Sequence, residues 1–242
     1  MAKVVEHYEN HIARYYSWMF GDFNENVDKN YQFFVNKGIT PQKSKIAIDL
    51  GAGCGFQSLA LARLDFSVIA LDSSKTLLDE LKSHSGNLKI IAVIDNIINF
   101  TAHCPEKVEL CICMGDTLPH LGSLDEVKKL FEDVYSSLED RGKCILTFRD
   151  LVFELEGINR FIPVKNDSEN IFTCILEYEK DHVIVNDMIY KKIKGDWKMD
   201  ASSYTKLRIH PDWVRKELMK SGFSINLCEI EKGWITVIAG KN

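Results

Sequence analysis

Between residues 45 and 148 the sequence alternates short, almost continuously apolar runs with stretches that have helical spacing. The apolar runs predict five strands, KIAIDL (45–50), FSVIALD (66–72), LKIIAVI (88–94), KVELCICM (107–114) and KCILTF (143–148). The stretches between them predict helices over 56–64, 74–84, 97–103 and 123–140. Strands that are apolar throughout and separated by helices are typical of a parallel sheet covered on both faces. The pattern therefore predicts an α/β fold.

The segments on either side of this region have a different pattern. Residues 4–37 have helical spacing and predict two helices joined near FGDFNEN, with His7 and His11 on the helix surface. Residues 171–208 alternate with period two and predict two or three antiparallel strands, followed by a helix and a hairpin. We interpret the chain as one domain, 1–242, made of an N-terminal helical cap (1–40), a core (45–152), an inserted antiparallel sheet (153–209) and a C-terminal helix and hairpin (210–242).

Charge and composition argue against several classes of partner. The formal net charge is −5 and no basic stripe is visible, so a nucleic-acid partner is not expected. No apolar run approaches the roughly 18–20 residues of a membrane helix, and the N-terminus has no signal-peptide core. No cluster of His, Cys, Asp or Glu has metal-ligand spacing. We therefore expect a cytoplasmic protein without a metal or a membrane partner.

A glycine-rich loop, DLGAGCG, follows the first predicted strand and places glycines at 51, 53 and 55. In a parallel sheet, ligands bind beyond the carboxyl ends of the strands, and glycines there allow a ligand to approach the backbone closely. Asp72 ends the second predicted strand about 20 residues later, where a carboxylate can bind ribose hydroxyls. That acid is common to several nucleoside-binding sheets, so by itself it does not identify the ligand.

The spacing of the loop argues against a dinucleotide. The pyrophosphate-binding pattern G-x-G-x-x-G needs its third glycine at position 56, where this chain has Phe56. An acid, Asp49, precedes the loop. A carboxylate at this point suits a ligand with an amino group better than it suits a pyrophosphate.

Four motifs together carry a resemblance to a known family. DLGAGCG resembles the D-x-G-x-G-x-G motif of class I S-adenosylmethionine-dependent methyltransferases, and VIALD and VIDNI resemble the next two motifs in order. CICMGDTLPHL is similar to the corresponding motif of small-molecule N-methyltransferases of the glycine/sarcosine type, and the C-terminal hairpin resembles the reversed seventh strand of the family. The resemblance implies a Rossmann-like, seven-stranded, mostly parallel sheet with a C-terminal antiparallel hairpin. It also implies S-adenosylmethionine as cofactor, S-adenosylhomocysteine as product and in-line methyl transfer to N or O of a small-molecule acceptor.

The resemblance also assigns candidate site residues. Asp72 would bind the ribose and Asp95 the adenine amino group, within a predicted cofactor-binding set of Asp49, Gly51, Ala52, Gly53, Gly55, Asp72, Ser73, Asp95, Asn96, Met114 and Gly115. Asp116 and His120, after the fourth strand, are the candidate catalytic residues. Position and side-chain chemistry, rather than the resemblance, give the candidate substrate-binding residues: Tyr15 and Tyr16 on the N-terminal helix, Arg149 after the fifth strand, and Trp197 and Arg208 on or after the inserted strands.

Several of these residues also have a purely structural interpretation. Asp72 is also a candidate cap for the helix that follows it, Asp95 and Asn96 are typical of turns, and His120 is a candidate cap for its own following helix. Two other functions also remain open. One is a methyltransferase-like protein that binds the cofactor without transferring a methyl group, and the other, disfavoured by Phe56 and the hairpin, is an NAD-dependent oxidoreductase.

Overall fold

The computed structural model describes residues 2–242, and their regular elements follow the predicted alternation in the centre of the chain. The strands are β1 (Ile46–Leu50), β2 (Ser67–Asp72), β3 (Ile90–Ile94), β4 (Val108–Cys113), β5 (Leu138–Arg149), β6 (Phe161–Asn166), β7 (Asn170–Tyr178), β8 (His182–Ile193), β9 (Asp196–Leu207), β10 (Ser224–Glu231) and β11 (Trp234–Gly240). The α-helices are α1 (Ala2–His7), α2 (Tyr16–Phe20), α3 (Phe23–Asn36), α4 (Phe56–Arg63), α5 (Lys75–Ser85), α6 (Leu124–Ser137) and α7 (Pro211–Lys220). Shorter helical turns cover Tyr8–Ile12, Ala13–Tyr15, Ile97–His103, Leu118–His120 and Gly157–Arg160.

The central sheet has seven strands in the order β10-β11-β5-β4-β1-β2-β3. All neighbouring pairs from β5 to β3 are parallel, while β11 runs antiparallel to both β5 and β10. Buried side chains cover both faces of the sheet in two apolar clusters, one containing Phe100 and Phe131 and the other Phe34 and Phe66. The predicted Rossmann-like fold with a C-terminal antiparallel hairpin is therefore confirmed.

A second sheet, entirely antiparallel, has the order β6-β7-β8-β9. The prediction of two or three strands omitted β6, which is an edge strand of six residues with Pro163 in its middle. Proline cannot donate a ladder hydrogen bond and is confined to edge strands, so this short run did not have the signature of a strand. The remaining three strands pair in long hairpins, and one face of the sheet is apolar.

The N-terminal segment departs from the prediction of a regular first helix. Residues 2–20 pass from α1 through a π-helical turn and a 3₁₀ turn into α2, whereas α3 forms as a separate helix. The expectation that His7 and His11 lie on the surface is wrong, since they are 3% and 4% exposed. His7 Nε2 lies 3.1 Å from Asp187 Oδ2, and His11 Nδ1 lies 2.9 Å from Asp200 Oδ2. Both carboxylates belong to the second sheet, so this segment is attached to β8 and β9.

Candidate active site

The loops that follow β1, β2, β3 and β4 meet at one edge of the central sheet and enclose a cleft of about 100 Å³. We call it the loop cleft. Seven residues of the predicted cofactor-binding set line it: Gly51, Gly53, Asp72, Ser73, Asp95, Asn96 and Gly115. Residues that lie far apart in the sequence meet here because parallel strands end at the same edge.

The glycine loop has a backbone that side chains would disturb. Gly51 has a φ of +82°, and a Cβ atom at this position would lie 2.3 Å from Thr117 Cγ2. Gly53 has a φ of +54°, and its N–H donates to Asp72 Oδ2 at 2.8 Å. Position 51 therefore requires glycine for both conformation and space. Gly53 lies against the Tyr16 ring, since a Cβ atom there would be 3.6 Å from Tyr16 Cε1.

Asp72 is half-buried at the end of β2 and helps to fix the cleft. Its Oδ1 accepts a hydrogen bond from the backbone N–H of Ser74 at 2.8 Å, in addition to the bond from Gly53. Ser74, not Asp72, caps α5, because Ser74 Oγ accepts from Leu77 N at 3.2 Å. Burial raises the pKa of the Asp72 carboxyl despite these bonds. A carboxylate has about four acceptor positions, so Asp72 retains capacity for a ligand hydroxyl.

Asp95 lines the far end of the loop cleft but is largely engaged within its own turn. Its Oδ1 accepts from Asn99 Nδ2 at 2.8 Å, and its Oδ2 lies 2.7 Å from His103 Nε2. The His103 contact is the main reason that the pKa of Asp95 lies below its usual value. These local contacts are those of a turn residue, so the structural alternative given for Asp95 accounts for part of its hydrogen bonding. The neighbouring walls are apolar and were not recognised from the sequence: Val5, Leu77, Ile97 and Leu121.

Four predicted cofactor residues lie behind the cleft surface, namely Asp49, Ala52, Gly55 and Met114. Asp49 is 1% exposed and its Oδ2 accepts a hydrogen bond from Ser58 Oγ at 2.6 Å. Gly55 caps α4 with a φ of +97°, and a Cβ there would lie 2.6 Å from Leu81 Cγ. These residues shape the loop from beneath.

A second cavity of about 630 Å³ adjoins the loop cleft. We call it the sheet cavity, because the apolar face of β6, β7 and β8 forms much of its wall. Tyr8, Tyr16 and Gly115 line both spaces, so the two meet at these residues. Arg149 also lines the sheet cavity, with its guanidinium carbon 4.5 Å from the centroid of the Trp234 ring. The predicted substrate residues Tyr16 and Arg149 are therefore both at this cavity.

Asp116 connects the end of β4 with the second sheet. It has a φ of +76°, its Oδ1 accepts from Arg149 N at 2.9 Å, and its Oδ2 pairs with Lys206 Nζ. Both side chains of the ion pair are about nine-tenths buried. Removing either partner would leave an uncompensated buried charge, which is strongly destabilising.

His120 lies in the loop cleft with its ring close to two tyrosines. Its Nε2 is 3.2 Å from Tyr8 Oη, and its ring stacks on Tyr204 with 5.3 Å between centroids. Among the described residues, its Nδ1 has no hydrogen-bond partner and is shielded from solvent. Burial, aided by the nearby Lys206 charge, holds the pKa of His120 well below its usual value, so the ring is neutral at pH 7. It does not cap the next helix, because Ser123 Oγ accepts from Glu126 N at the start of α6.

Three predicted substrate residues are not at either cavity. Tyr15 packs among the N-terminal aromatic side chains, and Trp197 lies near the tip of the β8–β9 hairpin with 46% of its surface exposed. Arg208 pairs with Glu154 at 2.7 Å and donates to the carbonyl of Leu151, which makes it a structural link. Periodicity indicated the kind of element on or near which each residue lies, but not the direction of its side chain.

Lys206 was missed although the sequence contains a signal for it. It shares a face of β9 with the buried Tyr204, so a charged residue occupies an inward position of an alternating strand. Buried charges are paired in folded proteins, and Lys206 therefore required a buried acid. The partner, Asp116, lies 90 residues earlier.

Two absences hold for the part of the chain that the structure describes. No group of three or more His, Cys, Asp or Glu side chains in residues 2–242 is arranged to hold a metal ion. Over the same residues, no helix has the length and apolar character needed to cross a membrane.

Comparison with known proteins agrees with this geometry. Residues 47–142 match a family model described as a methyltransferase domain. A glycine/sarcosine N-methyltransferase from Aphanothece halophytica is 28% identical over 127 residues, which is 51% of this chain and 48% of that protein. The chain thus spans about half the length of this curated relative.

Solved structures extend the likeness to the whole fold. An S-adenosylmethionine-dependent methyltransferase from Clostridium acetobutylicum has a TM-score of 0.73 at 19% identity, over 100% of this chain and 98% of that one. The CcbJ methyltransferase from Streptomyces caelestis has a TM-score of 0.79 at 15% identity, over 97% and 98% of the two chains. At these identities the likeness is one of fold. Together with the family match, it confirms the resemblance to class I S-adenosylmethionine-dependent methyltransferases.

Because Asp49 is buried and its pKa is raised, we expect the stability of the folded protein to depend on pH. Burial raises the pKa of its carboxyl to about 7, against roughly 3.9 in an unfolded chain. Between these values the unfolded state has lost the proton that the folded state keeps, so the free energy of unfolding falls as pH rises. Asp49→Asn should remove this contribution, which is at most about 4 kcal/mol between pH 4 and 8. Urea denaturation of the ligand-free protein at several pH values measures it, with the exposed Asp196→Asn as control. Equal pH slopes in wild type and Asp49→Asn would contradict the assignment.

Proposed function

We propose that the chain is an S-adenosylmethionine-dependent N-methyltransferase acting on a small molecule. The observation that carries this proposal is the meeting of two spaces at Tyr8, Tyr16 and Gly115. One space has the glycine loop and carboxylates suited to a nucleoside, and the other is large enough for an acceptor. Such a junction would orient the cofactor and the acceptor and shield them from water, and these are the main contributions of a protein to methyl transfer.

The residues of the loop cleft fit the cofactor. The backbone at Gly51 and Gly53 would bind its amino-acid end, Asp72 its ribose and the Asp95 region its base. The free space beside Gly115 and the remaining acceptor capacity of Asp72 support this fit. When bound, S-adenosylmethionine supplies a methyl group whose bond to sulfur breaks as the acceptor lone pair forms the new bond, with S-adenosylhomocysteine and one proton released.

An amine fits the site better than a hydroxyl. A hydroxyl is protonated at neutral pH and requires a strong general base, whereas a neutral amine already has its lone pair. Asp116 has both carboxylate oxygens engaged, and the depressed pKa of His120 makes it a weak base. The name of the Aphanothece halophytica relative, a glycine/sarcosine N-methyltransferase, also favours nitrogen.

The domain parts have proposed roles that follow from the cavity walls. The N-terminal segment 1–40 contributes Tyr8 and Tyr16, and the inserted segment 153–209 contributes the walls of the sheet cavity. We propose that both act as a cap over the acceptor. Arg149 lies at this cavity and has a planar guanidinium that would suit an anionic group of the acceptor.

Ligand binding tests the proposed function directly. S-adenosylhomocysteine should raise the melting temperature of the protein, and NAD should not. Methyl transfer to an amine acceptor, followed as S-adenosylhomocysteine release, separates an enzyme from a protein that only binds the cofactor. Stabilisation by NAD alone would favour the oxidoreductase alternative, and tight cofactor binding without transfer to any acceptor would favour the binding protein.

The role of Asp72 predicts a loss of cofactor affinity. Asp72→Ala should weaken S-adenosylhomocysteine binding by about 1–3 kcal/mol, roughly 5- to 150-fold in Kd, because hydrogen bonds to a charged group are lost. Calorimetry measures the effect, and denaturation of the ligand-free variant accounts for the lost bonds to Gly53 and Ser74. The exposed Asp79→Ala on α5 is the matched control. An unchanged Kd would contradict the assignment to Asp72.

The predicted catalytic roles of Asp116 and His120 remain predictions, and the geometry supports a positioning role. Because His120 stays neutral, His120→Asn should lower kcat/KM by about tenfold or more through loss of the Tyr8 contact. The pH profile of kcat/KM should keep its shape, since the ionisation that it reports belongs to the acceptor amine. Loss of the acidic limb in His120→Asn would instead identify His120 as a general base.

A further inference from the structure

We infer that the acceptor is an amine carried on a bulky apolar body, rather than a free amino acid such as glycine. This inference rests on the proposed function, because it names the substrate class of that same site. It comes from the size, the walls and the mouth of the sheet cavity.

The size of the sheet cavity exceeds the needs of a small amino acid. Its volume of about 630 Å³ lies within the 300–1,000 Å³ of pockets that bind drug-sized ligands. A glycine-sized acceptor would leave most of this space to water. Water beside the nucleophile would hydrate it and weaken the electrostatic interactions that orient the reaction. A body that fills the cavity would exclude that water.

The walls of the sheet cavity are mostly apolar. Alternate residues of β7 and β8 point into it, and the directly opposed pair Leu176 and Val185 forms its centre. Phe172 on β7 and Ile162 and Val164 on β6 extend the same surface. Burying an apolar ligand against such a wall is favourable, whereas a zwitterion would lose hydration there without replacement partners.

The deep polar groups already have partners within the protein. Asp116 pairs with Lys206, and Asp187 accepts from His7 Nε2 at 3.1 Å. No acid or base at these positions therefore needs a charged group from the acceptor. Two further cations line the cavity: Arg149, which packs on Trp234, and Lys232, which lies 3.7 Å from Glu231. An anionic substituent of the acceptor would have to lie beside one of these two.

Exposed apolar side chains lie at the mouth of the sheet cavity. Phe153, after β5, is 71% exposed, and Ile230, at the β10–β11 hairpin, is 53% exposed, yet both line the cavity. Large apolar groups facing solvent beside a cavity are typical of a surface that a ligand covers. The body of the acceptor would therefore reach from the junction at Gly115 to these two residues.

A graded series of amines tests the inference. Glycine, sarcosine, ethylamine, 2-phenylethylamine and 4-phenylbenzylamine are titrated into protein saturated with S-adenosylhomocysteine, and turnover is measured with S-adenosylmethionine. The affinity should rise at least tenfold from ethylamine to 4-phenylbenzylamine, and kcat/KM should favour the two arylalkylamines over glycine and sarcosine. A flat series, or a preference for glycine or sarcosine, would overturn the inference. Failure of S-adenosylhomocysteine to bind at all would instead contradict the proposed function.

A pair of substitutions on one strand locates the binding surface. Val185→Trp fills the sheet cavity from β8, while Ile184→Trp places the same side chain on the opposite face of that strand. Val185→Trp should weaken 4-phenylbenzylamine binding at least tenfold and leave the Kd of S-adenosylhomocysteine within twofold. Ile184→Trp should change neither constant. If Val185→Trp does not fold, Ile162→Trp on the edge strand β6 fills the same cavity at a half-exposed position. Unchanged amine affinity in the folded cavity-filling variant would exclude the sheet cavity as the acceptor site.

Discussion

The buried ion pair between Asp116 and Lys206 joins the two sheets at the point where both ligand spaces meet. Asp116 leaves the end of β4 in a left-handed conformation and also accepts from the backbone of Arg149, at the end of β5. Lys206 comes from β9 of the inserted sheet. Because a buried charge is costly unless it is paired, the pair holds β9 at one position above the central sheet. The position of the sheet cavity relative to the loop cleft is therefore fixed in part by this contact.

The N-terminal segment depends on the same inserted sheet. His7 and His11 contact Asp187 and Asp200, while Glu9 on the intervening turn accepts from Ser74 Oγ at 2.6 Å at the start of α5. The segment is thus attached on one side to the sheet that walls the sheet cavity and on the other to α5, which begins beside Asp72. Tyr8, between these attachments, reaches the junction of the two cavities.

The sequence predicts well those features that depend on local patterns. The central strands, the glycine loop and the acid that ends β2 follow from apolar periodicity and motif spacing, and they form the loop cleft as expected. The inserted sheet follows only in outline, because period two gives a strand but not which face meets the core. Trp197, on β9, and Arg208, directly after it, line neither cavity. The burial of His7 does not follow from local spacing, because its partner Asp187 lies 180 residues away. Side chains that depend on distant partners cannot be located from spacing alone.

The two spaces differ in what a substitution can change. One side of the loop cleft is the glycine loop, where a side chain at Gly51 has no room, so this side is hard to alter without disturbing the fold. Much of the wall of the sheet cavity is made of side chains of the second sheet, so replacing Val185 or Leu176 changes its volume without touching β1 to β4. Among the described residues, Tyr8, Tyr16 and Gly115 line both spaces, so a substitution at one of these three changes both. Substitutions on β7 or β8 would therefore alter the sheet cavity and leave the loop cleft as it is.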